Sequence, residues 1–371
     1  MRAAGSRHQG RLLARHFEVS RIIPLSMGLR AQWATGLIVA ALSTTCASRT
    51  TPAPERAVEY EDLLCRVDGV AVRLHRAHAR RRAGVELRVL ANPTARRNES
   101  CRHSYGGEDL LAVARRTRGL RLLAATNGYF FHFTDRGAER SNGFLWSRVG
   151  RTGAGEVLSP LEPTIDPDMR GDRLVVADDR GLHELRMSTG DAPCAPGACR
   201  VSELEGEGKR VVAAGSALDE RTLVTALRSA FPRMTSAMQM VPALGDAPAG
   251  SDPLAPAWRC PEDRNAPDAW KCERQPVAIL CGHADGSVSL LAAEPARYAE
   301  LARGLREGGS CGIGCRTLSF MDGGRSTQIA AVGDDGALTP RWAMFLADRP
   351  AAGCGRLRPV HHYVALGLPN R

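Results

Sequence analysis

Near the C-terminus the chain reads LSFMDGGRSTQIAAVGDDG over residues 318–336. A short apolar run ends in Asp322, Gly323, Gly324, Arg325, Ser326 and Thr327, and a second apolar run follows at once. Two adjacent glycines let a backbone turn sharply and approach a ligand with no Cβ in the way. Amides turned outward there favour an anion, and a carboxylate at a strand end beside them is well placed to meet a ligand. Ser326 or Thr327 can cap whatever follows. The same residues also suit a plain strand-to-helix turn closed by an Asx hydrogen bond. AATNGYFFHFTDRG, residues 124–137, is built alike: an apolar run ends at Asn127-Gly128 and aromatics follow, and SNGFLW, 141–146, repeats the pair as Asn142-Gly143. Alone, each Asn-Gly pair is a turn signal.

Together the apolar run into TNGYFF, the following SNGF and the much later FMDGGRSTQ resemble, in order and separation, the phosphodiester glycosidase (uncovering-enzyme) family. Two further segments fit. MQMVPAL, 238–244, stands where family members carry a Gln followed by Gly-Pro, and RQPVAIL, 274–280, where an Arg precedes the strand leading to the final helix and the DGG turn. The resemblance covers about residues 85–368. It implies a site lined by Asn127, Gly128, Asn142, Gln239, Arg274, Asp322, Gly323, Gly324 and Ser326, with a glycan or sugar phosphodiester as the partner, no cofactor and no assigned metal. The chain departs from the pattern at Arg325 and Val241, each replacing a usual Gly, and in a Pro- and Cys-rich insertion before Arg274.

The chemistry so implied accounts for the residue types. Cleaving a sugar–O–phosphate bond at the anomeric carbon expels a phosphate monoester, which leaves with little or no protonation, so the second carboxylic acid of ordinary glycosidases is dispensable. What remains necessary is positive charge or amides on the phosphate and a carboxylate near the anomeric centre. Arg274, Arg325 and the Gly323-Gly324 amides suit the first task, Asp322 the second, and Thr327 is a further contact. Each has a structural alternative. Arg274 can simply pair with a carboxylate such as Glu273, Asn127 and Asn142 can simply shape turns, and His132 can be a packed histidine among aromatics. His361 and His362 have no motif around them and suit a closing strand. Two functions follow: an exported hydrolase of sugar-1-phosphodiester bonds, or a non-catalytic envelope protein that binds an anionic glycan in the same pocket. Arg325 separates them, reaching a phosphate in the first and filling the sugar's space in the second. If the turn demands a positive φ at Arg325, a non-Gly residue there is strained, and such strain is kept where it serves a site.

These residues need elements to hold them. VAVRLHRA (70–77) and VELRVLAN (85–92) alternate apolar and polar side chains and predict strands, as do LRLLAATN (120–127), DRLVVADD (172–179), RVVAAGSAL (210–218) and TLSFMD (317–322). VAILCGHADGSVSLLAA (277–293) predicts two strands joined at an Ala-Asp-Gly turn. EDLLAVARRTRGL (108–120) and RYAELARGLREGG (297–309) have helical spacing and end near Gly. Strands mixed with a few helices predict an α/β or α+β domain, with a mixed β-sheet core and flanking helices. Residues 1–48 read as an export signal, 49–59 as a tether and 60–371 as the folded domain, with the insertion at 246–272.

Composition narrows the classes. The 371 residues are 43% hydrophobic and 24% charged, which suits a globular chain. Of the net charge of +10, the first 46 residues carry half, with six Arg and one Glu, so the body is only mildly basic. With aromatics at 5% and the arginines scattered, nucleic acid is excluded as a partner. MGLRAQWATGLIVAALSTTC, 27–46, has a basic start, a short apolar core and small residues before Cys46, as a signal peptide does, and Met27 can be the initiator. That core is shorter than the ~20 residues a membrane span needs. LSTTC is also similar to a lipoprotein processing site, so the expected location is the bacterial envelope, with membrane contact only through a lipid on Cys46, or the exterior. Beyond Cys46 ten cysteines remain, an even number that suits disulfides in an oxidising compartment, with Cys194/Cys199 and Cys260/Cys272 as local pairs. CGIGC, Cys311 to Cys315, lacks a second pair and a nearby His to complete a zinc site.

Overall fold

The computed structural model describes residues 57–67, 69–129, 131–133, 139–141, 143–150, 154–159, 173–189, 201–206, 209–212, 220–242, 273–349 and 351–370. By contacts the chain divides into Met1–Ala53 and Pro54–Arg371, and every described residue lies in the second unit. The export signal, Asn142, the insertion at 246–272 and the Cys194/Cys199 and Cys260/Cys272 pairs lie outside the described residues, as does most of the tether.

The fold is mostly β, which corrects the expected α/β or α+β mix. Every strand ladder in the described residues is antiparallel, and they form four sheets with three α-helices: α1 (Leu110–Arg116), α2 (Glu220–Ala230) and α3 (Tyr298–Leu305). Short connections are the reason. Val58–Val67 returns as Val70–Ala79, Arg173–Asp178 as Gly181–Thr189, and Gln275–His283 as Val288–Ala296, each too tight for the crossover a parallel pair needs. At the last hairpin Gly286, at φ +83°, makes the turn, and Asp285 Oδ1 accepts from the Ser287 amide at 2.9 Å. The helical spacing at 108–120 and 297–309 is real but yields helices of only seven and eight residues.

The largest sheet has twelve strands, and its middle runs Val70–Ala79, Val288–Ala296, Gln275–His283, Cys315–Gly323, Ser236–Pro242 and Arg173–Asp178. A second sheet of five orders Leu338–Ala343, Gln328–Val332, Leu120–Asn127, His362–Pro369 and Glu86–Ala91. The two-residue period of a strand distributes their side chains between layers. Ala278 and Leu280 join Ile329, Ala331, Val364 and Leu366 in a core that draws on both sheets. Val277, Ile279 and Cys281 point the other way, onto Leu301 and Leu305 of α3. From the smaller sheet Ala330, Tyr363 and Ala365 pack with Leu110 and Val113 of α1. α2 covers a fourth cluster through Leu223 and Leu227, against Leu174, Val176 and Trp146. Apolar area removed from water at about 25 cal/mol per Å² is the main stabilising term in such layers.

Among the described residues three disulfides tie this body together: Cys65–Cys311, Cys101–Cys354 and Cys281–Cys315. The two cysteines of CGIGC thus take different partners, one at the edge strand and one in the adjacent strand of the sheet. Among the described residues no helix is long and apolar enough to cross a membrane.

Candidate functional site

The DGG stretch is the place where the chain passes from one sheet to the other. The strand Cys315–Gly323 belongs to the large sheet and Gln328–Val332 to the small one, with a single 3-10 turn, Gly324–Ser326, between them. The turn closes through the Thr327 amide on the Gly324 carbonyl at 3.2 Å. Gly324 takes the left-handed conformation, φ +61°, where a side chain is strained. A Cβ on Gly323 would lie 2.8 Å from the Pro276 carbonyl oxygen and 3.0 Å from the Tyr298 hydroxyl. The positive φ therefore falls on Gly324. Ser104 is the non-glycine residue with positive φ among those described, so the expected strain at Arg325 is absent, and Arg325 sits exposed and unstrained in the turn.

Asn127 reads this crossing from the other sheet. Fully buried at the end of Leu120–Asn127, it donates from Nδ2 to the Asp322 carbonyl at 2.7 Å and accepts at Oδ1 from the Gln328 amide at 3.1 Å. Next to it the Gly128 carbonyl accepts from the Asp322 amide at 3.0 Å, and the Gly128 amide donates to the His362 carbonyl at 3.0 Å. A Cβ on Gly128 would come within 2.2 Å of the His362 ring. The resemblance's two motifs, TNG and FMDGG, are thus hydrogen-bonded to each other. Gln239, on Ser236–Pro242, accepts from the Phe144 amide at 3.1 Å through Oε1, and both it and Tyr129 crowd Gly143, where a Cβ would lie 3.2 Å from each. Val241 pairs with Phe320 in the large sheet. His132 falls on the strand Phe131–Phe133.

Arg274 stands just before Gln275–His283, whose first residues flank the glycine turn, but its guanidinium is committed elsewhere. Its Nη2 donates to both carboxylate oxygens of Glu300, at 3.0 and 2.9 Å. Glu300 also accepts from the Arg297 amide at the start of α3, at 3.2 Å. The ion pair falls on Glu300 rather than on the sequence neighbour Glu273.

The electrostatics centre on Asp322. Burial raises its carboxyl from the usual range to about 6, against the pull of the Ser326 hydroxyl, the Arg358 charge and the Gly323 amide. Oδ1 accepts from that amide at 2.9 Å, and Oδ2 is buried without a hydrogen-bond partner among the described residues. Thr327 Oγ1, also fully buried, is likewise without one. Burial, with the Asp322 charge beside it, pushes the Tyr298 phenol above its usual range.

Two residues with no motif in the sequence take part. Arg358 lays its guanidinium 3.7 Å from the centre of the Tyr105 ring, leaves Nε buried without a partner, and acts on Asp322 by its charge. His362, buried on the closing strand His362–Pro369, accepts at Nε2 from the Tyr129 amide at 2.7 Å. Its proton is therefore on Nδ1, and burial, with His361 next to it, holds it well below the usual histidine range. As a neutral acceptor it fixes the backbone after Asn127-Gly128. Single residues of this kind carry no periodicity or spacing that could have marked them. Among the described residues no cluster of three or more His, Cys, Asp or Glu could hold a metal ion.

The fold defines an antiparallel β protein with a polar crossing between its two larger sheets. Among solved structures it is similar to a protein from Synechocystis, at 14% identity and a TM-score of 0.45 over 84% of this chain and 62% of that one. The chain thus spans less than two thirds of that protein's length. It is also similar to the zebrafish N-acetylglucosamine-1-phosphodiester α-N-acetylglucosaminidase catalytic domain auto-inhibited by its pro-peptide, at 13% identity and a TM-score of 0.46 over 86% of this chain and 85% of that one. A Burkholderia pseudomallei protein described as exported aligns at 13% identity and a TM-score of 0.36 over 81% and 74% of the two chains. No family model and no curated protein matches the chain.

Proposed function

We propose that the protein is an exported hydrolase of sugar-1-phosphodiester bonds, acting on glycans of the bacterial envelope, with Asp322 as its catalytic carboxylate. The observation that carries this is the state of Asp322: a carboxyl raised to about 6 at the crossing between two sheets, with Oδ1 held by the Gly323 amide, the Ser326 hydroxyl beside it, and Oδ2 without a hydrogen-bond partner among the described residues. A group so poised is ionised at neutral pH yet basic enough to activate water, or to stabilise an oxocarbenium-like centre. The motif resemblance of TNGYFF and FMDGGRSTQ supports the substrate class. Charge for the phosphate comes from Arg358 and the exposed Arg325, and Ser326 and Thr327 supply hydroxyls. Arg274 acts through structure, because its pair with Glu300 braces the strand start that flanks the glycine turn. The three disulfides support export, since such bonds persist in oxidising compartments.

The leaving phosphate monoester needs no strong acid, so one carboxylate suffices. Asp322 takes a proton from water as the water oxygen bonds to the anomeric carbon, the C–O bond to phosphate breaks, and its electron pair leaves on the phosphate monoester. The test is hydrolysis of UDP-N-acetylglucosamine and of chromogenic sugar-1-phosphodiesters by the purified protein, followed by release of free sugar. Turnover by wild type that is lost in Asp322→Asn supports the proposal. A folded protein inert on a broad panel of such esters, yet retaining them by calorimetry, would instead be a glycan binder.

A further inference from the structure

A separate cleft of about 510 Å³ opens beside the loop that leads to Arg358, within the size range of small-molecule sites. Arg96, Arg115 and Arg356 line it, and all three are exposed. Among the described residues none of these guanidiniums has an ion-pair partner, although carboxylates are close by. Those carboxylates are already engaged. Glu108 accepts from Arg116 at 2.6 Å, while Asp109 accepts from the Ala112 amide at 3.0 Å and from the Arg356 and Leu357 amides at 2.8 and 3.3 Å. The cleft therefore presents three guanidiniums outside any ion pair against one carboxylate, Asp109, that is held by backbone amides, a net positive volume with Leu111 and Ala112 as an apolar wall.

Its walls are fixed in place. The Cys101–Cys354 disulfide joins the loop before α1 to the segment 353–358, and the Gly107 amide donates to the Gly353 carbonyl at 3.1 Å. His103 Nε2 lies 3.2 Å from the Gly355 carbonyl, and the Ala347 amide donates to the Arg356 carbonyl at 2.8 Å. Guanidiniums rising from this braced backbone suit carboxylate or phosphate oxygens bidentately. None of the cleft's residues belongs to the Asp322 turn, although the segment that forms its floor continues into Arg358.

We propose that this cleft binds a multiply anionic ligand, its phosphate esters or carboxylates on Arg96, Arg115 and Arg356 and an apolar portion against Leu111 and Ala112. The test is calorimetric titration of the full chain with two probes, inorganic tripolyphosphate and an oligogalacturonate, and with a neutral oligosaccharide of equal length as reference. At least one anionic probe is expected to bind while the neutral chain does not, and affinity should fall with added salt. Stronger binding of the phosphate probe assigns the cleft to phosphate esters, and stronger binding of the uronate assigns it to an acidic glycan. Arg96→Gln and Arg356→Gln are each expected to weaken binding about tenfold, the loss of one charge-assisted contact. Arg356→Lys, which keeps the charge and loses the fork, should fall between. Asp322→Asn is expected to leave probe binding unchanged, which separates this site from the hydrolytic one. The proposal is overturned if neither anion binds wild type, or if Arg221→Gln and Arg228→Gln on α2 weaken binding as much as the cleft variants do.

Discussion

Asp322 concentrates the chemistry of a single residue. Replacing it with Asn removes the charge at nearly constant shape, and loss of a group acting in the transition state lowers kcat more than it raises KM. The expected drop in kcat is about 100-fold or more. In the proposed role the carboxyl, raised to about 6, works as the anion, so kcat/KM of wild type should rise with pH up to about 6 and then level, and any residual activity of the variant should lack that step. The stability effect has the opposite sign. A carboxyl whose folded value is raised favours folding most when protonated, below pH ~4, and that advantage is lost as pH rises through about 6. Asp322→Asn should therefore be more stable than wild type at pH 7–8, by at most about 3 kcal/mol and with a higher Tm, and the two should converge near pH 4. Equal melting at both pH values would show that Asp322 is not desolvated. Arg358→Gln removes the charge that opposes this rise, so its kcat/KM step should move to higher pH.

At the scale of elements, the crossing between the sheets depends on residues with no room to vary. Asn127→Ala would leave the Gln328 amide and the Asp322 carbonyl buried and unpaired, which costs about 1–3 kcal/mol for each group. Gly128→Ala would press a methyl into the buried His362 ring and cost about 1–3 kcal/mol or more. Urea denaturation of the two variants checks both values. His362→Ala combined with Gly128→Ala should recover part of the loss, because the clash goes with the ring. A double variant no better than the sum of its parts would mean the crowding lies elsewhere.

At the scale of the molecule, the three disulfides among the described residues close sequence separations of 246, 253 and 34 residues. Constraining loops of that length stabilises by about 2–5 kcal/mol each in the chain-entropy account. Reduction should accordingly lower Tm well beyond the effect of any single surface substitution. Free-thiol titration of denatured, unreduced protein should find Cys65, Cys101, Cys281, Cys311, Cys315 and Cys354 blocked. Reduced thiols at these positions, in protein made in an oxidising compartment, would contradict the pairing.

Much of this was legible in the residues themselves. The strands Val70–Ala79, Leu120–Asn127 and Cys315–Gly323, the hairpin at Asp285 and the apolar faces of α1 and α3 follow from local periodicity and turn chemistry, which any short window of the chain contains. Asp322 with its two glycines, and Asn127-Gly128 as its counterpart, stand out for the same reason. The fold class did not follow, because helical spacing does not state how short a helix is, and only strand pairing decides between antiparallel hairpins and parallel crossovers. Tertiary structure alone settled that Arg274 belongs to Glu300, that the positive φ falls on Gly324 and not on Arg325, and that Arg358 and His362 come from the C-terminal end to the crossing around Asp322 and Gly128. Those facts depend on contacts between residues far apart in the chain, and a linear pattern carries no record of which distant side chain will meet a given charge.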